Sequence, residues 1–410
     1  MMGGVTDLLP PDDLTGSDTD APAASEDTAP PASGSARRRR WKRVALIAVP
    51  VVLALAVVVA AATVPVDYVI ETPGPTWNVL GDVDEGQPDS GNTPTGTPVI
   101  SVTGADTYPA DGALRMTTVS VRGCPGYPVT FLDVLGAWLD DEATVLDRDL
   151  VCPKKLTAQQ VETLNQAEMD SSQSAAVTAA LVETGLADSI TLEVYSVSEA
   201  QAQADLAAGD VLTAITVDGE RTEISSYTQL REFLARTAPG TDVTLTVDRG
   251  GTLIDVEVTT LSPQQAGASE DIEGSLLGVR LSMRANSDVS AQFGLDSVGG
   301  PSAGSMFALG IVDALTPGSL TGGQDVAGTG TIDVDGHIGA IGGIRQKMLG
   351  AAHAGSTWFL APADNCDEVV GHEPEGMTVV SVSTLHEAVE AVEAIASGQT
   401  GSLPSCQATG

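Results

Sequence analysis

Lysine is almost missing from this chain. Four occur in 410 residues, Lys42, Lys154, Lys155 and Lys347, and Lys347 stands alone after residue 155. Histidine is as rare, also with four. Nineteen basic residues face 55 acidic ones, for a formal net charge of −36. That charge repels phosphate backbones and argues against a nucleic-acid partner. No C-x-x-C or H-x-x-x-H spacing occurs, so the usual zinc signatures are absent and no metal or other cofactor is expected. No G-x-x-x-x-G-K-[ST] occurs, so these residues carry no P-loop ATPase. Aromatics make up only 3%, and no internal repeat is visible.

Periodicity is missing from the first 36 residues. They are rich in Pro, Ser, Thr, Asp and Ala, the composition of a tail that cannot bury enough surface to fold. Six basic residues follow, Arg37 to Arg40 with Lys42 and Arg43, and then an uncharged run from Val44 to Val64. At helical rise this run is long enough for a bilayer core, and Pro50 is tolerated in such a helix. The basic cluster predicts a cytoplasmic N-terminus, a plasma-membrane anchor and everything after Val64 outside a bacterial cell. A cleaved signal peptide is the rival reading, given "AAAT" at the end of the run. The length of the run and the acidic tail before it favour an uncleaved anchor.

All four cysteines, Cys124, Cys152, Cys366 and Cys406, follow the run. An even number in an oxidising compartment predicts two disulfides. Of the three pairings, proximity in sequence favours Cys124–Cys152 and Cys366–Cys406.

Beyond the linker-like "DEGQPDSGNTPTGTP", "GALRMTTVSV" reads as a strand. "LNQAEMDSSQSAAVTAALVETG" reads as a helix ended by Gly185. From Ile190 to Leu261 strands dominate, with a "DG" hairpin signal after "LTAITV". In the helix "SYTQLREFLART", Leu230, Phe233 and Leu234 share a face. This order resembles a bacterial PDZ domain. The loop that binds a peptide carboxylate in that family is sought at "TGLADSITLEV", which lacks the usual glycine-apolar signature. A structural α+β insert without peptide binding is the alternative. The last part, to about Ile395, alternates strands and helices, with "STWFLAP" as a buried strand and "TLHEAVEAVEAIAS" as a closing helix.

Two residues there carry candidate chemistry. Gly299, Gly300 and Pro301 deliver Ser302 to the front of the apolar helix "AGSMFALGIVDAL". Free N–H groups and the positive dipole end at that point suit an oxyanion, although an N-cap serine is the simpler reading. A serine hydroxyl needs a base. In "IRQKMLGAA", helical spacing puts Ile344, Lys347, Met348 and Ala351 on one face and leaves Arg345 and Gln346 for water. An inward lysine loses its charge readily and can serve as that base, whereas a snorkelling surface lysine is the commoner case. His337, His353, His372 and His386 compete for the role, but none sits in a recognisable catalytic motif.

"GGPSAGSMFALGIVDALTPG", "DVAGTGTIDVDGHIGAIGGIRQKMLGAAHAG" and "FLAPADN" together resemble the proteolytic domain of Lon proteases. They are closer still to the membrane-anchored, PDZ-containing Lon-like serine proteases of Gram-positive bacteria. The resemblance implies a Ser302–Lys347 dyad, supported by Thr329 and by the approach through Gly300 and Pro301. ATP-dependent Lon usually has an aspartate before Gly-Pro-Ser, where this chain has Gly299. The resemblance also implies that the PDZ module is inserted into the protease body, which then includes "GALRMTTVSV" and the helix after it. Lon relatives form rings, so a homo-oligomer is an option.

The expectation is an α+β protein: a cytoplasmic tail with a basic stop (1–43), an anchor (44–64), an extracytoplasmic segment of the protease body (65–186), a PDZ domain (187–262), a Lon-like proteolytic domain (263–400) and a tail carrying Cys406 (401–410). The expected function is ATP-independent endoproteolysis of protein or peptide substrates. An inert, membrane-tethered peptide-binding scaffold is the alternative.

Overall fold

The computed structural model describes residues 34–83, 96–125, 127–152, 156–187, 190–268, 272–295 and 298–407, without the side chains of 34–45 and 47. The expected disordered tail up to residue 33 and most of the expected linker lie outside the described residues. The chain divides into a unit ending at Ala60 and a unit from Ala61 onward. Residues Gly34–Thr63 form one helix that contains Pro50. Among the described residues no helix is long and apolar enough to cross a membrane. The membrane expectation for Val44–Val64 is therefore not met by a described spanning helix. Described side chains cover only Leu46 and 48–63 of the helix, short of the ~20 residues a bilayer core requires.

A mixed six-stranded sheet organises the second unit. Its order is Thr378–Val382, Trp358–Pro362, Asp325–Gly328, Ala113–Arg122, Tyr68–Asn78, Thr144–Asp147. The first four strands are parallel, and the last two pairings are antiparallel. Parallel strands require crossovers, which here carry helices on both faces. Strand alternation shows this directly. Val326, Leu360 and Val380 join the cluster of the helix Gly304–Leu315, with Met306, Phe307 and Leu309. Ala327, Phe359, Ala361 and Val379 join the cluster of the helix Ile344–His353, with Ile344, Met348 and Ala351. The two helices thus cover opposite faces of one sheet.

The helix Ala158–Glu183 starts earlier than its apolar pattern, because Thr157 and Gln160 form a reciprocal capping box. Met169, Ala176 and Ala180 bury it in the same cluster as Phe307. Segments before and after the 190–285 region therefore share one core. Arg115 joins them across the sheet, donating to both oxygens of Asp325 at 3.0 and 2.8 Å.

The 190–285 region builds a second, antiparallel sheet in the order Leu253–Thr259, Asp242–Asp248, Val211–Val217, Ile190–Val197, Val279–Ala285, with Glu220–Glu223 added to Val211–Val217. The sheet extends past residue 262, since Val279–Ala285 pairs with Ile190–Val197. Asp218 and Gly219, at φ 49° and 81°, turn the hairpin that "DG" predicts. Leu230 and Leu234 bury the helix Tyr227–Arg236 against this sheet, with Phe233 partly buried. Both expected disulfides form, Cys124–Cys152 and Cys366–Cys406.

Candidate active site

Ser302 is not the cap of its helix. Ala303 takes that position, with no side-chain cap. Gly300 has φ 86°, in the left-handed region that a side chain disfavours, and its N–H is held by the Asn165 carbonyl at 2.9 Å. Pro301 follows, and its carbonyl accepts from Ser172 Oγ at 2.9 Å. Both anchors lie on the helix Ala158–Glu183. The Ser302 carbonyl accepts from Gly330 N–H and from Thr329 Oγ1, each at 2.9 Å. The serine backbone is pinned from two sides, and its hydroxyl is left for chemistry.

Lys347 reaches that hydroxyl. Its Nζ donates to Ser302 Oγ at 2.8 Å and to Thr329 Oγ1 at 2.9 Å. Ser302 precedes one helix and Lys347 lies on another, and the two helices cover opposite faces of the sheet. The two residues meet because the strand Asp325–Gly328 stops, and Thr329, the next residue, stands at its C-terminal end. The lysine side emerges through Gly343, whose φ of 68° starts the helix and whose absent Cβ would fall 2.7 Å from Val119 Cγ2. Burial disfavours the ammonium and brings the Lys347 pKa down from 10.5 to about 7, against an opposing pull from Glu71. Burial wins that contest because Lys347 is only 3% exposed.

Glu71 is a residue that the sequence reading missed. It lies on the strand Tyr68–Asn78, 8% exposed. Burial first, and then the Glu368 carboxylate, push its pKa above the usual range, while Lys347 pulls it down. Sequence offered one signal, an acidic residue inside the apolar "YVIET".

Ser302, Lys347 and Glu71 open on a cleft of about 450 Å³. Its wall includes Thr118 to Val121 of the strand Ala113–Arg122. The neighbouring strand Asp325–Gly328 pairs only as far as Met116, and Thr117 Oγ1 caps its end by donating to the Gly328 carbonyl at 3.1 Å. Beyond that point no described strand covers this edge, and Ser120 and Val121 are exposed. An open strand edge therefore runs beside the serine.

The competing histidines are elsewhere. His337, His353 and His386 pair on the surface with Asp333, Glu142 and Glu183, and His372 is exposed. One expectation on the lysine helix fails. Gln346 is buried rather than solvated, and its Nε2 donates to Thr144 Oγ1 at 2.7 Å. The strand Thr144–Asp147 covers that side of the helix, which helical periodicity could not reveal. Arg345 is exposed as expected.

The second sheet holds a larger cavity, about 680 Å³, away from the serine. Tyr227, Leu230 and Leu234 form one wall, and Val279, Leu281 and Met283 the other. The start of Ile190–Val197, where sequence placed the groove, is an inner strand. The groove strand is Val279–Ala285, at the sheet edge, entered through Leu276, Leu277 and Gly278, with Gly278 at φ 67°. The glycine-apolar turn thus stands some 90 positions after the place where it was sought.

Comparison with known proteins identifies two domains. Residues 291–394 match the Lon protease (S16) C-terminal proteolytic domain, and residues 167–260 match the PDZ domain. Lon protease 1 of Bacillus subtilis is 38% identical over 94 residues, which is 22% of this chain and 12% of that protein. Lon protease 2 of Herpetosiphon aurantiacus is 42% identical over 91 residues, 22% of this chain and 11% of that one. The chain thus spans about a tenth of the length of these relatives. Among solved structures, the PDZ domain of an SdrC-like protein from Listeria monocytogenes is 20% identical with a TM-score of 0.18, covering 22% of this chain and 85% of that one. The PDZ match begins inside the helix Ala158–Glu183 and stops before the groove strand. The chain carries a Lon protease C-terminal proteolytic domain and a PDZ domain.

Proposed function

We propose that this protein is an ATP-independent serine endopeptidase working outside the cytoplasm, with Ser302 as nucleophile and Lys347 as general base. One observation carries the reading: a buried lysine amine, with a pKa of about 7, lies 2.8 Å from a serine hydroxyl at a helix N-terminus. Near neutral pH a large fraction of Lys347 is unprotonated, so its lone pair can accept the Ser302 proton as Oγ attacks a peptide carbonyl. The resulting ammonium returns that proton to the leaving amine. Water then repeats the sequence on the acyl-enzyme. N–H groups at the start of the helix Gly304–Leu315 suit the developing oxyanion.

The open strand edge at Thr118–Arg122 supports an extended substrate, which adds to the sheet and lays its carbonyl beside Ser302. The groove at Val279–Ala285 supports capture of a second extended segment of the same polypeptide. ATP independence rests on the missing P-loop. The extracytoplasmic, membrane-tethered location rests on the uncharged run Val44–Val64, its basic flank and the two disulfides. The domain boundaries drawn from sequence belong to the same proposal, with 65–186 part of the protease body and the 187–262 domain extended to Ala285.

A fluorophosphonate probe tests the reading. It should label the wild type and not Ser302→Ala. Equal labelling of both, or of neither, would favour the inert scaffold.

A further inference from the structure

We propose that the hairpin Thr331–Gly339 ties the groove helix to the catalytic serine, so that Asp335 is a positioning residue through which groove occupancy sets turnover. The proposal rests on the protease and groove readings above.

The hairpin is short, Thr331–Ile332 against Ile338–Gly339. Its stem belongs to the protease. Ile332 packs so close to the nucleophile helix that a Cβ on Gly304 would fall 2.7 Å from Ile332 Cγ2. Ile338 N–H donates to the Ser383 carbonyl at 2.8 Å. Its tip belongs to the other domain. Val334 is 5% exposed and completes the hydrophobic cluster that contains Leu230 and Leu234 of the groove helix. Asp335 Oδ2 accepts from Thr228 N–H at 2.7 Å and from Thr228 Oγ1 at 2.5 Å. Thr228 is in the first turn of Tyr227–Arg236, where a carboxylate also meets the positive dipole end. Asp335 cannot swing freely, since its own N–H is held by Asp333 Oδ1 at 3.0 Å.

The chain then runs directly to the dyad. Thr329 Oγ1 holds Lys347 and the Ser302 carbonyl. Gly330 N–H holds that carbonyl too, and the Gly330 carbonyl takes Ser305 N–H at 3.1 Å. Seven consecutive residues, Thr329 to Asp335, therefore touch the nucleophile at one end and the groove helix at the other. The groove lies between that helix and the strand Val279–Ala285, so a bound segment bears on the same helix that the tie holds, through Leu230 and Leu234, which share a cluster with Val334. A shift of the helix moves Thr228 and so loads the hairpin or breaks its hydrogen bonds. That is a contiguous physical path between two sites, which is what coupling of this kind requires.

A double-mutant cycle in the full-length protein tests this. Leu281→Trp fills the groove, and Asp335→Ala cuts the tie. A short ester reporter that reaches only Ser302 reads the dyad, and an unstructured polypeptide reads the groove. Each single change should lower reporter kcat about 3- to 10-fold with KM unchanged. The double mutant should be no slower than either single, and Asp335→Asn, which keeps the acceptor, should recover most of the loss. Should Asp335→Ala fail to fold, by melting, Thr228→Val supplies the same cycle. Independent, multiplicative effects would overturn the tie. So would a Leu281→Trp protein with raised KM for the polypeptide and normal reporter kcat, which leaves the groove reading standing. No effect of Leu281→Trp on either substrate removes the groove reading, and loss of all probe labelling by wild type removes the protease reading.

Discussion

Thr329 Oγ1 accepts from Lys347 Nζ at 2.9 Å and gives its own proton to the carbonyl of Ser302, also at 2.9 Å. The direction of the second bond fixes the first, because a hydroxyl has one hydrogen. A neutral Lys347 must then turn an N–H toward Thr329, which leaves its lone pair free to face Ser302. Thr329→Val should therefore lower kcat by about 10²-fold, the scale of a misdirected general base, while Thr329→Ser stays within a few-fold. Steady-state kinetics on the short reporter distinguish the two. Equal loss in both variants would show that Thr329 serves packing rather than the proton path.

The lysine base sets a sign for pH. In the proposed mechanism neutral Lys347 is the active form, so kcat/KM should rise with pH through about 7. Lys347→Arg should be inactive at every pH, since guanidinium stays protonated. Substantial peptidase activity in that variant would remove the mechanism.

The same pKa sets a sign for stability. The folded-state value is about 7, against 10.5 for a lysine in water. Between those values the unfolded chain holds a proton that the folded chain lacks, so this group's contribution improves as pH rises and is least favourable below 7. Lys347→Met removes the penalty. Its melting temperature should exceed that of wild type, by more at pH 6 than at pH 9, with activity lost. A lower melting temperature at pH 6 would mean that the two hydroxyl contacts outweigh the burial of charge.

Glu71 opposes burial in setting the lysine. Glu71→Gln removes that carboxylate, and the acid limb of the pH profile should move to lower pH. An unmoved limb would mean that Glu71 is protonated throughout and exerts no field.

The disulfides close loops of 28 and 40 residues. Chain-entropy reasoning assigns each about 3–4 kcal/mol. Cys124→Ser/Cys152→Ser and Cys366→Ser/Cys406→Ser should each lower the urea midpoint accordingly. Mass mapping of unreduced protein should recover both pairs, and four free thiols would refute them.

The proposed ATP independence sets an expectation for substrate choice. The protein should cut an unstructured polypeptide without ATP and spare a stable compact domain with or without it. Degradation of the compact domain that begins on adding ATP would require a separate ATPase.

Ser302 and Lys347 were legible because each stands out locally, one behind two glycines and a proline, the other as the last lysine on an apolar face. Ile344, Met348 and Ala351 are buried as periodicity required. Glu71, Gln346 and Asp335 were not legible, because their partners lie about 100 to 300 positions away in sequence and only the fold brings them together. The groove's helix, Tyr227–Leu234, was placed correctly, but its strand was misplaced for a related reason. Strand order in a sheet is not chain order, and only the fold shows that Val279–Ala285, not Ile190–Val197, is the edge.

The pairing of Ala113–Arg122 with Asp325–Gly328 joins residues some 210 positions apart. A chain that emerges N-terminus first cannot close this sheet until Asp325–Gly328 has appeared, and contacts of such separation form slowly. Lys347 comes later still. Ser302 and Lys347 are therefore brought together only after the Cys124–Cys152 loop and the 190–285 sheet have been synthesised.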